Sequence, residues 1–203
     1  GDRLAVGAES DDGAGNAATA TGATYLFSFA DNDFDGGTLE STIGKGYSGT
    51  KDVDVANLDD IDTFGSSVSL NAAGDRLAVG ARRDDGAGNA NDRIGAAYLF
   101  SFADTDFNGG TLESTIGSGY TGGKNVDVAN LDDDDIFGSA VSLNGAGDRL
   151  AVGATGDDSA ADNVADSGAV HLFSFTDTDF TGGTLVSTIG KGFNNGNPKD
   201  VNV

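Results

Sequence analysis

An all-β chain built from tandem four-stranded antiparallel units is predicted by three observations in the 203-residue sequence. The octapeptide Gly1-Asp2-Arg3-Leu4-Ala5-Val6-Gly7-Ala8 returns unchanged at Gly74 to Ala81 and at Gly147 to Ala154, a period of 73 residues. Within each period, short apolar segments alternate with clusters of Gly, Asp, Asn and Ser, the punctuation of strands and turns. The composition agrees: 33 glycines, one proline and 37% hydrophobic residues suit many short strands better than helices.

A period of this size marks an array in which each copy is one supersecondary unit that cannot bury its apolar face alone. The copies read as residues 1–73, 74–146 and 147–203. The first lacks the segment that opens the other two, and the third stops before the next such segment would begin. With no Met in the chain and both ends falling inside a repeat, the expectation is a window from a longer polypeptide.

The second copy shows the unit most fully. Its first strand is predicted over Phe64 to Leu70, where Phe64, Ser66, Val68 and Leu70 alternate with Gly65, Ser67 and Ser69 in the half-buried period of two. The second spans Arg76 to Ala81, after the short hairpin Asn71-Ala72-Ala73-Gly74-Asp75. The third, Ala96 to Phe102, is apolar on both faces and belongs inside a stack of sheets. The fourth is Thr111 to Ile116, and the long segment from Gly117 to Ile136 connects to the next unit. In the third copy Lys199-Asp200-Val201 sits two residues later than Lys51 and Lys124 lead one to expect.

The formal net charge of −22 argues against a nucleic-acid partner, because phosphates need a basic face. The acid is almost all aspartate; Glu9, Glu40 and Glu113 are the only glutamates. Aspartate favours turns, caps and hard cations, so the bias points to acidic loops with calcium as a candidate cofactor, or to a surface adapted to high salt. There is no Cys, which excludes disulfides and thiolate metal sites, and no run of about 18 apolar residues that would span a membrane.

The sharpest candidate site is Asp31-Asn32-Asp33-Phe34-Asp35-Gly36, with carboxylates at Asp31, Asp33 and Asp35. Alternate acidic residues in a loop can turn several oxygens toward one calcium ion. The equivalent positions are Asp104, Asp106 and Asn108, then Asp177, Asp179 and Thr181, so the ligand count falls from copy to copy. Thr42 stands where an EF-hand would need its closing Glu, and the competing reading is an Asx-turn hairpin. Two further acidic series, Asp11-Asp12, Asp84-Asp85 and Asp157-Asp158, and Asp59 to Asp62 and Asp132 to Asp135, read as solvated faces. Arg3, Arg76 and Arg149 recur beside an Asp and read as hairpin pegs. His171 takes the place of Tyr25 and Tyr98 and is expected to fill an aromatic slot, with no Ser-His-Asp arrangement in view.

Four antiparallel strands and a longer crossover to an identical sheet describe a propeller blade. Phe64-Gly65-Ser66-Ser67-Val68, Leu77-Ala78-Val79-Gly80-Ala81 and Gly95-Ala96-Ala97-Tyr98-Leu99-Phe100 resemble the FG-GAP repeats of integrin α-chain propellers and related bacterial surface proteins. The third copy matches in the same order through Phe137 to Val141, Leu150 to Ala154 and Gly168 to Phe173. Strand periodicity is equally compatible with a linear solenoid or stacked-sheet array; the resemblance is what favours β-propeller-like blades, open or part of a larger array. The chain departs from the family in two respects. The Asn71 to Asp75 turn is too short for the calcium loop such repeats carry between their first two strands, and the unit is longer than usual.

The expected function is that of a non-enzymatic extracellular or cell-surface repeat protein with a structural or adhesive role, a segment of a stalk, filament or adhesin. Its expected partners are neighbouring repeats or identical chains. The alternative is a propeller-type binding module for glycan or protein ligands, and three blades are too few to close alone. A catalytic site is not expected, since enzymatic sites break symmetry and this chain scarcely does.

Overall fold

In the computed structural model the chain is described over residues 2–89, 91–158, 160, 164–193 and 197–203, which leaves Gly1 of the repeated octapeptide outside. Fourteen strands and no helix are found among the described residues. They form three separate sheets, none closed into a barrel. The first contains β1 (Arg3–Ala8), β2 (Ala23–Ser28), β3 (Thr38–Gly44) and β4 (Val53–Asp54) in that order. The second contains β5 (Phe64–Leu70), β6 (Arg76–Ala81), β7 (Ala96–Ser101), β8 (Thr111–Gly117) and β9 (Val126–Asp127). The third contains β10 (Phe137–Leu143), β11 (Arg149–Ala154), β12 (Ala169–Ser174), β13 (Thr184–Gly190) and β14 (Val201–Asn202).

The four predicted strands of the second unit are β5 to β8, all antiparallel to their neighbours. A further short strand, which no sequence signal marks, adds in parallel to each sheet, the fourth of the first and the fifth of the other two: β4 on β3, β9 on β8 and β14 on β13. It is two residues long and is held by two bonds to the residues just before it, one from a side chain and one from a main-chain N–H of the strand it joins. Ser41 Oγ donates to Lys51 O at 2.8 Å while Thr42 N donates to Asp52 Oδ1 at 2.8 Å. Ser114 with Lys124 and Thr115 with Asn125 repeat this, as do Ser187 with Lys199 and Thr188 with Asp200. The two extra residues of the third unit therefore fall before Lys199 and leave the staple intact.

Each Phe-Gly strand carries a bulge at its start, between Phe64 and Ser67 and between Phe137 and Ala140. Glycine is required there. Gly65 and Gly138 lie at φ of 85° and 84°, and a Cβ on either would run into the carbonyl of Ala23 or Ala96.

The hydrophobic cores lie between the sheets. In one cluster Leu26, Ile43, Val53, Val55 and Leu58 of the first unit meet Phe64, Leu77, Val79, Phe100 and Phe107 of the second. In the other, Ile94, Leu99, Ile116, Val126 and Leu131 meet Phe137, Leu150, Val152, Phe173 and Phe180. The aromatic side chains pack edge-on: Phe64 lies 5.4 Å from Tyr98, and Phe137 5.5 Å from His171. Each sheet thus offers an aliphatic face to the next unit and an aromatic face to the previous one. That supplies the burial that a single unit lacks.

Candidate functional site: the joints and open faces of the array

The acidic loops after β2, β7 and β12 carry the residues expected to hold calcium. Asp31 Oδ1 accepts the main-chain N–H of Asp33 at 2.9 Å and of Asp35 at 3.3 Å. Asp104 does the same for Asp106 and Asn108, and Asp177 for Asp179 and Thr181. The Asn108 amide also donates to both carboxylate oxygens of Asp104, which holds the Asp104 carboxyl below its ordinary pKa. The alternation thus serves an Asx-turn. Among the described residues no group of three or more His, Cys, Asp or Glu side chains is placed to hold a metal ion.

In the second and third units this loop faces the preceding sheet. Arg3 reaches across the first joint to Asp106 Oδ1 at 2.7 Å and bonds Thr105 O, and Lys51 Nζ donates to Asp106 O at 2.8 Å. At the second joint Arg76 meets Asp179 Oδ1 at 2.8 Å and Thr178 O at 2.6 Å, while Lys124 reaches Asp179 O at 2.7 Å. Lys51 and Lys124 are pinned in turn by Glu40 and Glu113. Arg3, Arg76 and Arg149 also bond the carbonyl of the Asp before them, as a hairpin peg should. The joint is the larger role, and a separation of 103 residues hides it from any local pattern. Equal spacing of Arg and Asp across copies is the signal that could have found it.

A second repeated feature is a carboxylate under each sheet, half-buried in the first (Asp11) and buried in the second and third (Asp84 and Asp157). The series expected to be solvated faces each place Asp side chains inside: Asp62, Asp84, Asp135 and Asp157 are all buried. The cause is tertiary. Asp84 accepts from Gly86 N at 2.8 Å, from Tyr120 Oη at 2.9 Å and from Tyr98 Oη, and burial raises its pKa against those bonds. Asp11 receives Tyr25 and Tyr47 in the same way. Asp62 accepts Asp59 N at 2.6 Å, and burial, with Asp84, Asp59 and Asp85 nearby, pushes it up to about 7. Asp135 repeats this beside Asp157, Asp132 and Asp158 and is pushed up to about 6 by burial.

The third copy alters this pattern. His171 fills the aromatic slot against Phe137, as expected, and its Nε2 lies 3.1 Å from Asp157 Oδ2, where Tyr98 bonds Asp84. Its Nδ1 lies 3.4 Å from Thr188 Oγ1. The fold thus aligns Asp157, His171 and Thr188, an order that the sequence does not disclose. Phe193 replaces Tyr120, so the second hydroxyl on the carboxylate is lost.

Among the described residues, one face of the first sheet and one of the third are not covered by another sheet. On the first sheet Phe34 is 60% exposed, whereas its equivalents Phe107 and Phe180 are fully buried, and Val6 is 41% exposed against 0% for Val79 and Val152. On the third sheet the Arg149 side chain is 56% exposed, against 17% and 13% for Arg3 and Arg76 in their joints. A groove of about 520 Å³ opens there between Arg149, Leu172, Val186 and Lys199.

These features define a class: an all-β array of blade-like sheets whose repeated chemistry lies in the joints. Residues 57–100, which take in β5, β6 and most of β7, match the family model described as FG-GAP repeat. The resemblance carried by the Phe-Gly, Leu-Ala-Val-Gly-Ala and Gly-Ala-Ala-Tyr segments is thereby shown for that stretch. No curated protein matches the chain. FG-GAP repeats are typically non-catalytic, are typical of extracellular or surface proteins and suggest a repeat or binding module. No helix among the described residues is long and apolar enough to cross a membrane.

Proposed function

We propose that this chain is a non-enzymatic extracellular repeat protein with a structural or adhesive role, a segment of a surface stalk, filament or adhesin. The observation that carries the reading is the duplicated joint. The same Arg, Lys, Asp and aromatic contacts are made between the first and second sheets and between the second and third. Repetition of one interface is what a scaffold requires, whereas a ligand pocket needs one distinct arrangement. Antibody labelling of intact source cells tests the location: labelling without permeabilisation supports the proposal, and labelling only after permeabilisation overturns it.

Calcium is the finer part of the proposal and rests on the alternating carboxylates of Asp31, Asp33 and Asp35. In the structure Asp31 caps the turn, so a bound ion would have to displace N–H donors already in place. Calorimetry with calcium and melting with a chelator decide the matter; no heat and no change in melting temperature remove the ion.

A further inference from the structure

The second joint lacks a cation that the first joint carries. In the first, Lys45, just after β3, donates from Nζ to the Leu58 carbonyl and pairs with Asp59 Oδ1 at 3.8 Å, so the connection between the sheets holds its own ammonium group. One repeat later Ser118 stands in place of Lys45, while Leu131 and Asp132 repeat Leu58 and Asp59. Among the described residues nothing takes over from the lysine: the Leu131 carbonyl accepts no hydrogen bond and the Asp132 carboxylate makes no ion pair. A cavity of about 550 Å³ opens beside Asp132, between the connection that follows β9 and the aromatic face of the third sheet. Asp135, Asp157, Asp158 and Asp200 share its lining with Asp132, and no Lys or Arg does. Leu185 and Phe193 give it an apolar side, and Phe193 replaces Tyr120, whose hydroxyl bonds Asp84 in the second sheet. The corresponding groove of the first joint, of about 490 Å³, is lined by Asp59 and Tyr120. The cavity is internal to a joint whose two sheets are both present.

We propose that this cavity binds an aliphatic polyamine, with one ammonium group where Lys45 Nζ sits in the first joint, on the Leu131 carbonyl and the Asp132 carboxylate. The chain thus supplies the cation itself at one joint and takes it from a ligand at the next. The distribution of the acids favours an extended organic cation over a metal ion. Among the described residues no three carboxylates are placed to hold one ion, whereas five are spread around a space of ligand size. Ammonium groups separated along a hydrocarbon chain match carboxylates separated in this way, and Leu185 and Phe193 cover the methylene groups. Carboxylates confined together without a counter-charge are costly, and Asp135 shows the cost: burial, with Asp157, Asp132 and Asp158 nearby, pushes it up to about 6. The inference goes beyond the structural reading above, which rests on what the two joints share; this site lies where they differ.

Calorimetry of the whole chain with spermidine, in roughly 50 mM salt so that charge attraction is only partly screened, tests the inference. The expected result is one spermidine per chain, and weaker binding of n-butylamine, which offers a single ammonium group. Ser118→Lys restores the missing lysine at a position where Lys45 shows that it fits, and should weaken spermidine binding at least about tenfold. Asp132→Asn should do the same, since it removes the exposed carboxylate on which the ammonium group rests. Each variant changes the net charge by one, as does Asp33→Asn in an exposed loop outside the second joint, which should leave the affinity within about twofold. Circular dichroism verifies the fold of each variant, and spermidine should raise the melting temperature of the unaltered chain and not that of Ser118→Lys. A titration without saturable heat overturns the inference. So does a loss with Asp33→Asn equal to that with Asp132→Asn, which would reduce binding to the general attraction of a chain of net charge −22. Binding unmoved by Ser118→Lys overturns it as well, as does calcium that binds more tightly than spermidine and displaces it, or a lysine-rich peptide that binds more tightly than spermidine. Surface labelling of cells is independent of every one of these outcomes, so failure of the site and failure of the surface role are read separately.

Discussion

Arg3 on β1 and Asp106 in the loop after β7 lie 2.7 Å apart across the first joint, and Arg76 and Asp179 repeat the pair at 2.8 Å across the second. The two partners do not weigh equally. Asp179 is mostly exposed and contributes through a screened ion pair, so Asp179→Ala should cost about 0.2–1 kcal/mol. Arg76 also donates to the carbonyls of Thr178 and Asp75, so Arg76→Ala should cost about 1–3 kcal/mol. A double-mutant cycle by urea melts measures the difference; equal losses would contradict the carbonyl contribution.

Stability should fall as pH rises toward neutrality. Asp62 and Asp135 titrate in the folded chain at about 7 and about 6, above the carboxylate value of the unfolded chain. The folded state then binds more protons between about pH 4 and 7, and linkage makes unfolding easier as those protons leave. Asp62→Asn, which keeps the acceptor for Asp59 N, should raise the melting temperature at pH 8 by about 2–4 °C and by less at pH 5. A gain that is the same at both pH values would show that Asp62 ionises normally.

His171 should be replaceable by Tyr and not by Leu. Tyr98 occupies the equivalent slot and bonds Asp84, so His171→Tyr can reach Asp157 and should change stability by less than about 1 kcal/mol. His171→Leu keeps the volume but leaves a buried carboxylate without that donor, a loss of about 2–4 kcal/mol. Thermal melts of the two variants separate the aromatic role of the position from its polar one.

Two alanine substitutions of glycine should differ sharply. Gly138→Ala meets both a positive φ and the Ala96 carbonyl and should cost more than about 2 kcal/mol. Gly145, in the hairpin between β10 and β11, has room for a methyl group, with the Ala72 Cβ nearest at 3.5 Å, and Gly145→Ala should be neutral or slightly stabilising. Comparable losses at both sites would argue against the bulge.

The strands are legible in the sequence because their signal is local: alternation at Phe64 to Leu70 and the repeated Leu-Ala-Val-Gly-Ala are enough to place β5 and β6. β4, β9 and β14 are not, because a two-residue strand has no period and owes its place to hydroxyl and carboxylate or carboxamide bonds with residues ten or twelve positions away. The aspartates show the same limit. In sequence Asp84 and Asp85 are two members of one acidic pair; in space one is buried beneath Tyr98 and Tyr120 and the other is not. Charge runs report average solvation, while burial depends on which residue meets the neighbouring sheet. The aromatic slot of His171 follows from its alignment with Tyr25 and Tyr98, yet its carboxylate partner comes from a loop 14 residues earlier that no motif connects to it.

Because the apolar clusters belong to pairs of sheets, the natural measure of length in this molecule is the 73-residue step. A deletion or duplication of one whole step brings the same aliphatic face against the same aromatic face and recreates a joint already present. A deletion that removes only part of a step takes away the Arg, the Asp or the Phe of a joint, whereas a small insertion in a connection, like the two residues before Lys199, leaves the joint in place. Recombination between near-identical units can therefore lengthen or shorten the array without designing a new interface, and copy number becomes the property that varies most freely.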